Sequence, residues 1–214
     1  DCYGLPLLAA HVVRGGGEAA ETAAQLAGPV ALKALVGGLV HRSDLGAVRL
    51  DLHSGAEVRR AASEIRAAVA AGGKRLDGFV VQAMAPSGVE LLVGVANDPS
   101  FGPVIVCGPA GASAELMGDA AARITPLTDS DAREMLRTLR TFPLLTGYRG
   151  SPPCDIDAIE DVLLRLSALV EAHSEVAELD LDPLVAAGDG AVVVDARVRL
   201  EPPPPPRPLS ALRA

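Results

Sequence analysis

Hydrophobic and polar residues follow two periods along this chain, which together predict a mixture of strands and helices. Short apolar runs predict strands at 5–13, 29–36, 48–52, 78–84, 89–96 and 103–107. Apolar residues at helical spacing predict helices at 17–27, at 54–71, from Thr128 to about Arg140, and from Asp155 onward. Ser54 with Glu57, and Thr128 with Asp131, have the spacing of helix N-terminal caps. The order of the elements predicts an α+β region followed by an antiparallel sheet.

Acidic residues alternate with leucines near the C-terminal end of the pattern. The acidic positions are Glu178, Asp180 and Asp182. Strand periodicity places them on one face and Leu179 and Leu181 on the other. Like charges on one face repel unless water or a cation neutralises them, so the segment predicts a site for a hard divalent ion such as magnesium. Asp195 follows inside the apolar run 191–198. A strand with one solvated face is the alternative.

A single lysine, Lys33, stands in the apolar run 28–36, which reads as a buried strand. The following loop, 37–47, is rich in glycine and carries His41, Arg42 and Ser43. Such side chains and backbone amides beside a lysine form a candidate phosphate site. The loop matches neither the Walker pattern nor the GxGxxG pattern. A plain hairpin turn, with Lys33 reaching water from a strand edge, is the alternative.

Composition narrows the class of protein. The 214 residues, 49% hydrophobic and 2% aromatic, can bury one substantial core or two small ones. A net charge of -8 argues against general nucleic-acid binding, since the average surface repels phosphates. Cys2, Cys107 and Cys154 form no CxxC pair, which favours reduced thiols in a cytoplasmic protein, with Cys107 in the core.

Three further expectations concern membrane or signal segments, the start of the chain and its C-terminal tail. No apolar stretch is long enough to predict a membrane span, and no basic segment precedes an apolar one as in a signal peptide. The start at Asp1, without Met, suggests a piece of a longer polypeptide. The proline run at 202–206 predicts a polyproline-like or disordered tail, either a spacer or a ligand for an aromatic groove.

Eight segments in register resemble the ATP-grasp domain of the NDP-forming acyl-CoA synthetases, which include acetate–CoA ligase and relatives of the succinyl-CoA synthetase beta subunit. They are the lysine strand and residues 41–44, 80–84, 88–90, 97–103, 126–128, 144–150 and 178–184. The resemblance implies an ATP-grasp fold of class α+β (α/β), in which two lobes clamp a nucleotide. The lobes implied are 1–78 and 79–200, the second with metal-binding strands, before a Pro-rich tail at 201–214.

The resemblance also implies roles for individual residues. The ATP-binding residues are Lys33, Arg42, Gln82, Ala83, Met84, Glu90, Gly111 and Glu115. Lys33 would neutralise phosphate oxygens, and the segment 82–84 would receive the adenine. Asp182 and Asp195 correspond to magnesium ligands, and Asp180 to an acidic catalytic residue near the transferred phosphoryl group. Glu90 and Glu115 have an alternative as surface residues or partners of Arg123.

His41 is the second catalytic candidate. By resemblance it lies in a loop that in some members helps to relay a phosphoryl group from a phosphohistidine on a companion part. Neutral imidazole nitrogen is a competent phosphoryl acceptor. A lone histidine beside Arg and Ser in a loop is also common as a solvated turn residue, which is the alternative.

Three departures from the family pattern bear on activity. Asp182 stands where the family usually has asparagine, Gly46-Ala47 where it commonly has two glycines, and Gly108-Pro109-Ala110-Gly111 where it commonly has Gly-x-Gly-Gly. Proline lacks an amide that could donate to phosphate, and alanine disfavours positive φ. A weakened or lost catalytic function is therefore an open alternative.

Three functions follow from the resemblance. The first is the ATP-binding domain of an acyl-CoA synthetase that uses ATP or ADP with magnesium, together with CoA-binding and ligase domains of the same or a partner chain. The second is a degenerate regulatory module fused to a protein lysine acetyltransferase. The third is another ATP-grasp ligase with unrelated substrates. None of them involves nucleic acid or a membrane.

Overall fold

The computed structural model describes residues 2–37, 46–111 and 117–202. Contacts within the chain divide it into two compact units. The N-terminal unit is Leu8–Ala85, and the C-terminal unit joins Asp1–Leu7 to Pro86–Ala214. Each unit contains helices and a sheet, which confirms the predicted α+β class.

The N-terminal unit is built on a four-stranded antiparallel sheet. Its elements are β1 His11–Val13, α1 Gly16–Ala23, β2 Val30–Leu35, β3 Val48–Leu52, α2 Gly55–Ala71 and β4 Gly78–Ala83. The strands lie in the order β1-β4-β2-β3. Helix α2 begins as the sequence predicts: the Ser54 side chain accepts a hydrogen bond from the Glu57 amide at 3.2 Å. The Glu57 carboxylate in turn accepts from the amide of His53 at 2.7 Å.

One face of this sheet forms the core with α1 and α2. Its strand residues are Val30, Leu32, Ala34, Phe79 and Val81. The two helices approach closely, since a Cβ added to Gly16 would lie 3.0 Å from the Cβ of Ala62. Strand alternation sends Ala31, Lys33 and Gln82 to the opposite face.

The C-terminal unit is built on a six-stranded antiparallel sheet. Its elements are β5 Val89–Asp98, β6 Gly102–Pro109, β7 Ala121–Ile124, α3 Asp129–Thr138, α4 Phe142–Leu145, a 3-10 turn Tyr148–Gly150, α5 Ile156–Ala172, β8 Val176–Ala187, β9 Gly190–Val193 and β10 Ala196–Leu200. The strand order is β10-β8-β5-β6-β7, and β9 also pairs with β8. The predicted antiparallel arrangement of the three central runs is confirmed.

Helices α3 and α5 pack on one face of this second sheet. The core contains Leu91, Val93 and Ile105 from the sheet with Leu136 and Leu163 from the helices. Cys107 is also fully buried there, and burial raises the pKa of its thiol to about 12, so its predicted core position is confirmed. The predicted caps form: Thr128 and Asp131 make a reciprocal capping box, and Asp155 accepts from the amide of Ala158.

The structure differs from the sequence expectations at two boundaries. The units divide after Ala85 and not after residue 78, because β4 pairs with β1 and β2 and its Phe79 and Val81 belong to the first core. The strand predicted at 5–13 is only His11–Val13, because residues 1–7 lie with the C-terminal unit, where Leu7 bridges Val193. Within the described residues, no helix is long and apolar enough to cross a membrane.

Candidate functional site

Lys33 lies in the middle of β2, on the sheet face that points away from α1 and α2. It pairs with Val48 of β3 on one side and with Val80 of β4 on the other. The residue is only 6% exposed. A buried ammonium group loses solvation, so it is stable only beside polar or anionic groups. The N-terminal unit therefore fixes a cation on this face of its sheet.

The segment predicted to receive adenine continues from the same face. Gln82 is opposite Ala31 and 4% exposed, and its side-chain nitrogen donates to the carbonyl of Leu8 at 3.3 Å. Ala83 pairs with Val30, and the Met84 amide donates to the carbonyl of Pro29 at 3.0 Å. The Met84 amide is therefore used by the protein itself. The predicted adenine contacts of these three residues stay a prediction.

The described residues at the two ends of the glycine loop are held by side chains. The Gly37 amide donates to the Asp77 carboxylate at 3.1 Å, and the Arg49 guanidinium donates to the carbonyl of Gly46 at 2.8 Å. Gly46 has φ +60, which glycine adopts readily, whereas the fully buried Ala47 has no positive φ. Alanine at the second position thus fits the backbone without strain.

The second departure from the family glycine pattern is equally free of strain. A Cβ on Gly108 would lie 2.6 Å from the carbonyl oxygen of Asp119, and Gly111 has φ +85. Glycine therefore stands at both positions that require it. Ala110 has no positive φ, and its amide donates to the carbonyl of Glu90 at 3.0 Å. The loop still differs from a Gly-x-Gly-Gly loop by Ala110 at the third position and by the missing amide of Pro109.

The acidic residues of β8 lie on the sheet face away from α3 and α5, as the alternation predicts. Leu179 and Leu181 are in the core, whereas Glu178 and Asp180 are half-buried on the other face. Glu178 is neutralised by β10: the Arg199 guanidinium donates to it at 2.9 Å, and this hydrogen bond lowers the pKa of its carboxyl group. The three acids are thus not equivalent, because Glu178 belongs to a surface ion-pair network.

Asp180 has an environment that disfavours its charge. It lies opposite Gly94 of β5, where an added Cβ would come within 3.1 Å of the Asp180 carboxylate. Burial raises the pKa of Asp180, Glu178 and Asp182 raise it further, and only Arg197 acts in the opposite direction. A cavity of about 300 Å³ opens at this point, lined by Gly94, Asp180 and Glu178. The cavity combines carboxylates with an apolar floor of Leu92 and Val106.

Asp182 lies at an irregularity in β8. Leu181 is opposite Val93 but Leu184 is opposite Leu91, so β8 has one residue more than β5 over this stretch. Such bulges re-aim side chains and are common beside active sites. Partial burial raises the pKa of Asp182, and the carboxylates of Glu90 and Asp195 raise it further. The charges of Glu90 and Asp195 therefore both disfavour ionisation of Asp182 at this bulge.

Asp195 does not lie inside a strand, as the apolar run had indicated. It stands between β9 and β10, where its carbonyl accepts from the Asp182 amide at 3.1 Å and its side chain accepts from the Ala196 amide at 3.0 Å. The break arises because β9 and β10 pair with different stretches of β8. The predicted ligands Asp182 and Asp195 are nevertheless brought together.

The donor chemistry of this pair fits magnesium. Within the described ranges, no group of three or more His, Cys, Asp or Glu side chains is arranged to hold a metal ion. Magnesium, however, typically binds through one or two carboxylates and takes its remaining ligands from water and substrate phosphates. Carboxylates that repel each other are the donors that such an ion would neutralise.

Three of the predicted site residues are not described by the structure, and one predicted ion pair does not form. His41, Arg42 and Glu115 lie outside the described residues, so their roles stay predictions. Arg123 does not pair with Glu90: its guanidinium lies 3.9 Å from Glu134, because β7 passes along α3. The sequence reading missed the ion pair between Glu178 and Arg199, although Arg197 and Arg199 alternate in the sequence as edge-strand partners would.

Two α+β units, one fixing a buried lysine and the other a group of carboxylates, define the ATP-grasp class of nucleotide-binding domains. The ATP-grasp domain family matches residues 1–200, and the chain belongs to this family. Its sequence matches the beta subunit of ADP-forming acetate–CoA ligase I of Pyrococcus furiosus, with 34% identity over 200 residues that cover 92% of this chain and 86% of that subunit.

A longer relative and a solved structure agree with this assignment. The ADP-forming acetate–CoA ligase I of Archaeoglobus fulgidus is 39% identical over 204 residues, which are 94% of this chain but only 29% of that enzyme. Acetyl-coenzyme A synthetase 1 of Ca. Korarchaeum cryptofilum, solved with coenzyme A and Ca-AMPCP, superimposes with a TM-score of 0.90 at 38% identity, covering 94% of this chain and 88% of that chain.

The same Korarchaeum protein has been solved in a second complex, with coenzyme A, Mg-AMPPCP and its phosphohistidine segment pointing towards the nucleotide binding site. This structure superimposes with a TM-score of 0.81 at 38% identity and covers 94% of this chain and 87% of that chain. The comparisons therefore confirm the predicted family and the two-lobed ATP-grasp fold class. They give no support to the alternative of a regulatory module fused to an acetyltransferase.

Proposed function

We propose that this chain is the nucleotide-binding part of an ADP-forming acyl-CoA synthetase. It binds ATP or ADP with magnesium and moves a phosphoryl group between the nucleotide and a phosphohistidine on a companion part. The observation that carries the proposal is the division of charge between the two units. One sheet face fixes a buried lysine, Lys33, and the other brings together Asp182 and Asp195, which repel each other. Phosphate complements the charge of the first face, and magnesium complements the charge of the second.

Lys33 has the role of neutralising phosphate oxygens. Its strand neighbours leave it 6% exposed, so its attraction to an anion is screened less by water than that of a surface lysine. Gln82, Ala83 and Met84 follow on the neighbouring strand as the predicted adenine segment. Arg42, outside the described residues, is expected to add a second positive charge.

Asp182 and Asp195 would hold magnesium, with Glu90 close enough to add to their repulsion. When bound, the ion supplies charge neutralisation and orientation of the phosphate oxygens. Asp180 lies on the same face of β8 in the cavity beside Gly94, and we assign it to the region of the transferred phosphoryl group. Gly111 and Glu115 are assigned to the phosphate loop, with Gly111 supplying the turn at φ +85.

The phosphoryl transfer itself needs a second protein part. The imidazole nitrogen of a histidine on the companion part would accept the phosphoryl group from ATP, so that phosphohistidine forms and ADP leaves; in the reverse direction the phosphohistidine gives its phosphoryl group to ADP and ATP forms. His41 is proposed to assist this relay. In the Korarchaeum complex with Mg-AMPPCP, the phosphohistidine segment points towards the nucleotide binding site.

Thioester formation lies beyond this chain alone. The chain spans 29% of the Archaeoglobus enzyme, so the CoA-binding and ligase functions are assigned to companion parts of the same or a partner chain. The glycine positions that the backbone requires are present, which favours a working domain over a degenerate one. The cytoplasmic location inferred from the cysteines stays a prediction.

Calorimetric titration of the purified chain with ATP, with and without magnesium, tests this proposal. We expect binding that magnesium strengthens, with AMP binding more weakly because it lacks the phosphates that Lys33 and the ion contact. Absence of ATP binding at millimolar concentration in the presence of magnesium contradicts the proposal for this chain.

A further inference from the structure

Two arginines of β10 lie on the same sheet face as the acidic residues of β8. In this antiparallel pair of strands Arg197 is directly opposite Asp180, and Arg199 is directly opposite Glu178. Directly opposed residues of antiparallel strands point to the same side of the sheet, with Cβ atoms about 5 Å apart. The face that carries Asp180, away from α3 and α5, therefore carries two cations on its outermost strand.

The two arginines differ in how fully their side chains are engaged. The Arg199 guanidinium donates to Glu178 at 2.9 Å and also contacts the carboxylate of Glu201. The Arg197 guanidinium lies 4.0 Å from the Glu178 carboxylate, which is beyond hydrogen-bonding distance. Within the described part of the chain it donates no hydrogen bond, and its side chain is 48% exposed. Arg197 therefore keeps N–H donors that a ligand can use.

The sheet face next to Asp180 is open. The residue opposite Asp180 on the other neighbouring strand is Gly94, and Val106 and Ala122 continue the same row across β6 and β7. The row therefore has a cation and a carboxylate at one end and small apolar residues along the rest. The cavity of about 300 Å³ is lined by Asp180, Gly94 and Val106. A ligand in this cavity meets Asp180 with no side chain of β5 in between.

The phosphoryl group assigned to this region needs a positive charge near Asp180. The terminal phosphoryl group of ATP is an anion, and the carboxylates of Asp180 and Glu178 on the same face would repel it. Arg199 already neutralises Glu178, so it leaves Asp180 uncompensated. Of the two β10 arginines, Arg197 is the one that stands opposite Asp180 with donors still available, and its charge can offset the repulsion.

We propose that Arg197 is an anion-binding residue, whose guanidinium binds the oxygens of the terminal phosphoryl group of ATP beside Asp180. The inference rests on the proposed function, because it takes the nucleotide as the ligand and Asp180 as a neighbour of the transferred group. A planar guanidinium can donate two parallel hydrogen bonds to one phosphoryl group, whereas a lysine ammonium acts as a point charge. Arg199 is then the structural member of the pair.

Two variants of Arg197 test this role by calorimetric titration with nucleotide. Arg197→Met removes the charge and keeps an apolar stem, and Arg197→Lys keeps the charge but loses the planar pair of donors. We expect Arg197→Met to weaken Mg-ATP binding about tenfold, the loss typical of a hydrogen bond to a charged group. Mg-ADP lacks the terminal phosphoryl group, so its binding should change less than about threefold. The Mg-ATP affinity of Arg197→Lys should fall between those of the wild type and Arg197→Met.

The matched control removes the neighbouring ion pair. Glu178 and Arg199 oppose each other on the same two strands and the same face, two residues away from Asp180 and Arg197. The double variant Glu178→Gln with Arg199→Gln removes one charge of each sign and leaves the net charge unchanged. It should bind Mg-ATP and Mg-ADP within about threefold of the wild type. Because Arg197 is a half-exposed surface residue, Arg197→Met should shift the melting temperature by about 2 °C or less.

Three results would overturn the inference. Unchanged Mg-ATP binding in Arg197→Met leaves Arg197 as a solvated arginine of an edge strand. An equal loss for Mg-ATP and Mg-ADP, or the same loss in the double variant, shows that the effect is not specific to the terminal phosphoryl group or to Arg197. Lost binding together with a lower melting temperature in both Arg197→Met and Arg197→Lys makes the residue structural. Failure of the wild type to bind either nucleotide is a separate outcome, which removes the proposed function and this inference with it.

Discussion

The two units present their charges in different ways. The N-terminal unit buries Lys33 between neighbouring strands, where only 6% of it is exposed. The C-terminal unit holds Asp180 half-buried and Asp182 exposed at a strand irregularity, with Glu90 and Asp195 close by. A single buried cation is fixed by its own strand, whereas a group of anions needs a ligand to offset their repulsion. The first surface is therefore preorganised, and in the proposed function a cation completes the second.

The largest expected effect is the loss of stability when the hydrophobic core of the N-terminal unit is disrupted while the other core is left intact. Phe79 is fully buried in the N-terminal core, so Phe79→Ala should lower the free energy of unfolding of that unit by about 3–5 kcal/mol. Phe101→Ala is the control, because Phe101 is 65% exposed and should change stability by about 0.5 kcal/mol or less. Scanning calorimetry measures both. Equal destabilisation of both units by Phe79→Ala would show that their folding is not separable.

Lys33→Met tests the preorganised cation. The substitution keeps most of the side-chain volume and removes the charge, so ATP affinity should fall about tenfold to a hundredfold, about 1.4–2.8 kcal/mol. Lys74→Met is the matched control, since Lys74 is exposed outside the candidate site. Equal ATP affinity in Lys33→Met and the wild type contradicts the phosphate role.

Several of these features could be predicted from the sequence, and others could not. The run around Lys33 is apolar on both sides, so its burial follows from composition alone. The alternation of Glu178, Asp180 and Asp182 predicted their common face, but not that Arg199 neutralises the first of them. That pairing depends on register between β8 and β10, which single-sequence patterns do not encode.

The irregularity in β8 at Asp182 could not be predicted from the sequence either. It arises because Leu181 and Leu184 both enter the core, three positions apart, and strict alternation cannot accommodate that. The same limit explains Asp195: an apolar run of eight residues reads as one strand, but its two halves pair with different parts of β8. β4 was assigned to the wrong side of the boundary because local pattern does not identify strand partners.

Asp182→Asn tests the repulsion in the acidic group. Removal of one charge should raise the melting temperature in the absence of magnesium by about 2 °C, given that about 1 kcal/mol corresponds to 2–4 °C in a chain of this size. ATP binding should persist, since an amide oxygen can replace one carboxylate ligand. Asp189→Asn serves as the control, because Asp189 is exposed on the turn between β8 and β9. An equal rise in both variants would indicate a general charge effect.

The smallest expected effect is the pH dependence of the stability that Asp182→Asn gains over the wild type. The folded chain raises the pKa of Asp182 above its usual value of 3.8, so the folded state holds the proton more tightly than the unfolded state. Stability from this group is therefore present at acid pH and is lost as the pH rises through the raised pKa. The advantage of Asp182→Asn should be present at neutral pH and disappear below about pH 3.8. A constant difference between pH 3 and pH 7 contradicts the assigned cause.

The most direct test of the charge division is a titration of ATP into the wild type, Lys33→Met and Asp195→Ala, each in magnesium and each in EDTA. We predict that Lys33→Met loses affinity in both solutions, because the lysine contacts phosphate directly. Asp195→Ala should lose affinity only in magnesium, because its carboxylate acts through the ion. If Asp195→Ala loses as much affinity in EDTA as in magnesium, or if EDTA leaves wild-type binding unchanged, the acidic group is not a magnesium site and the account fails.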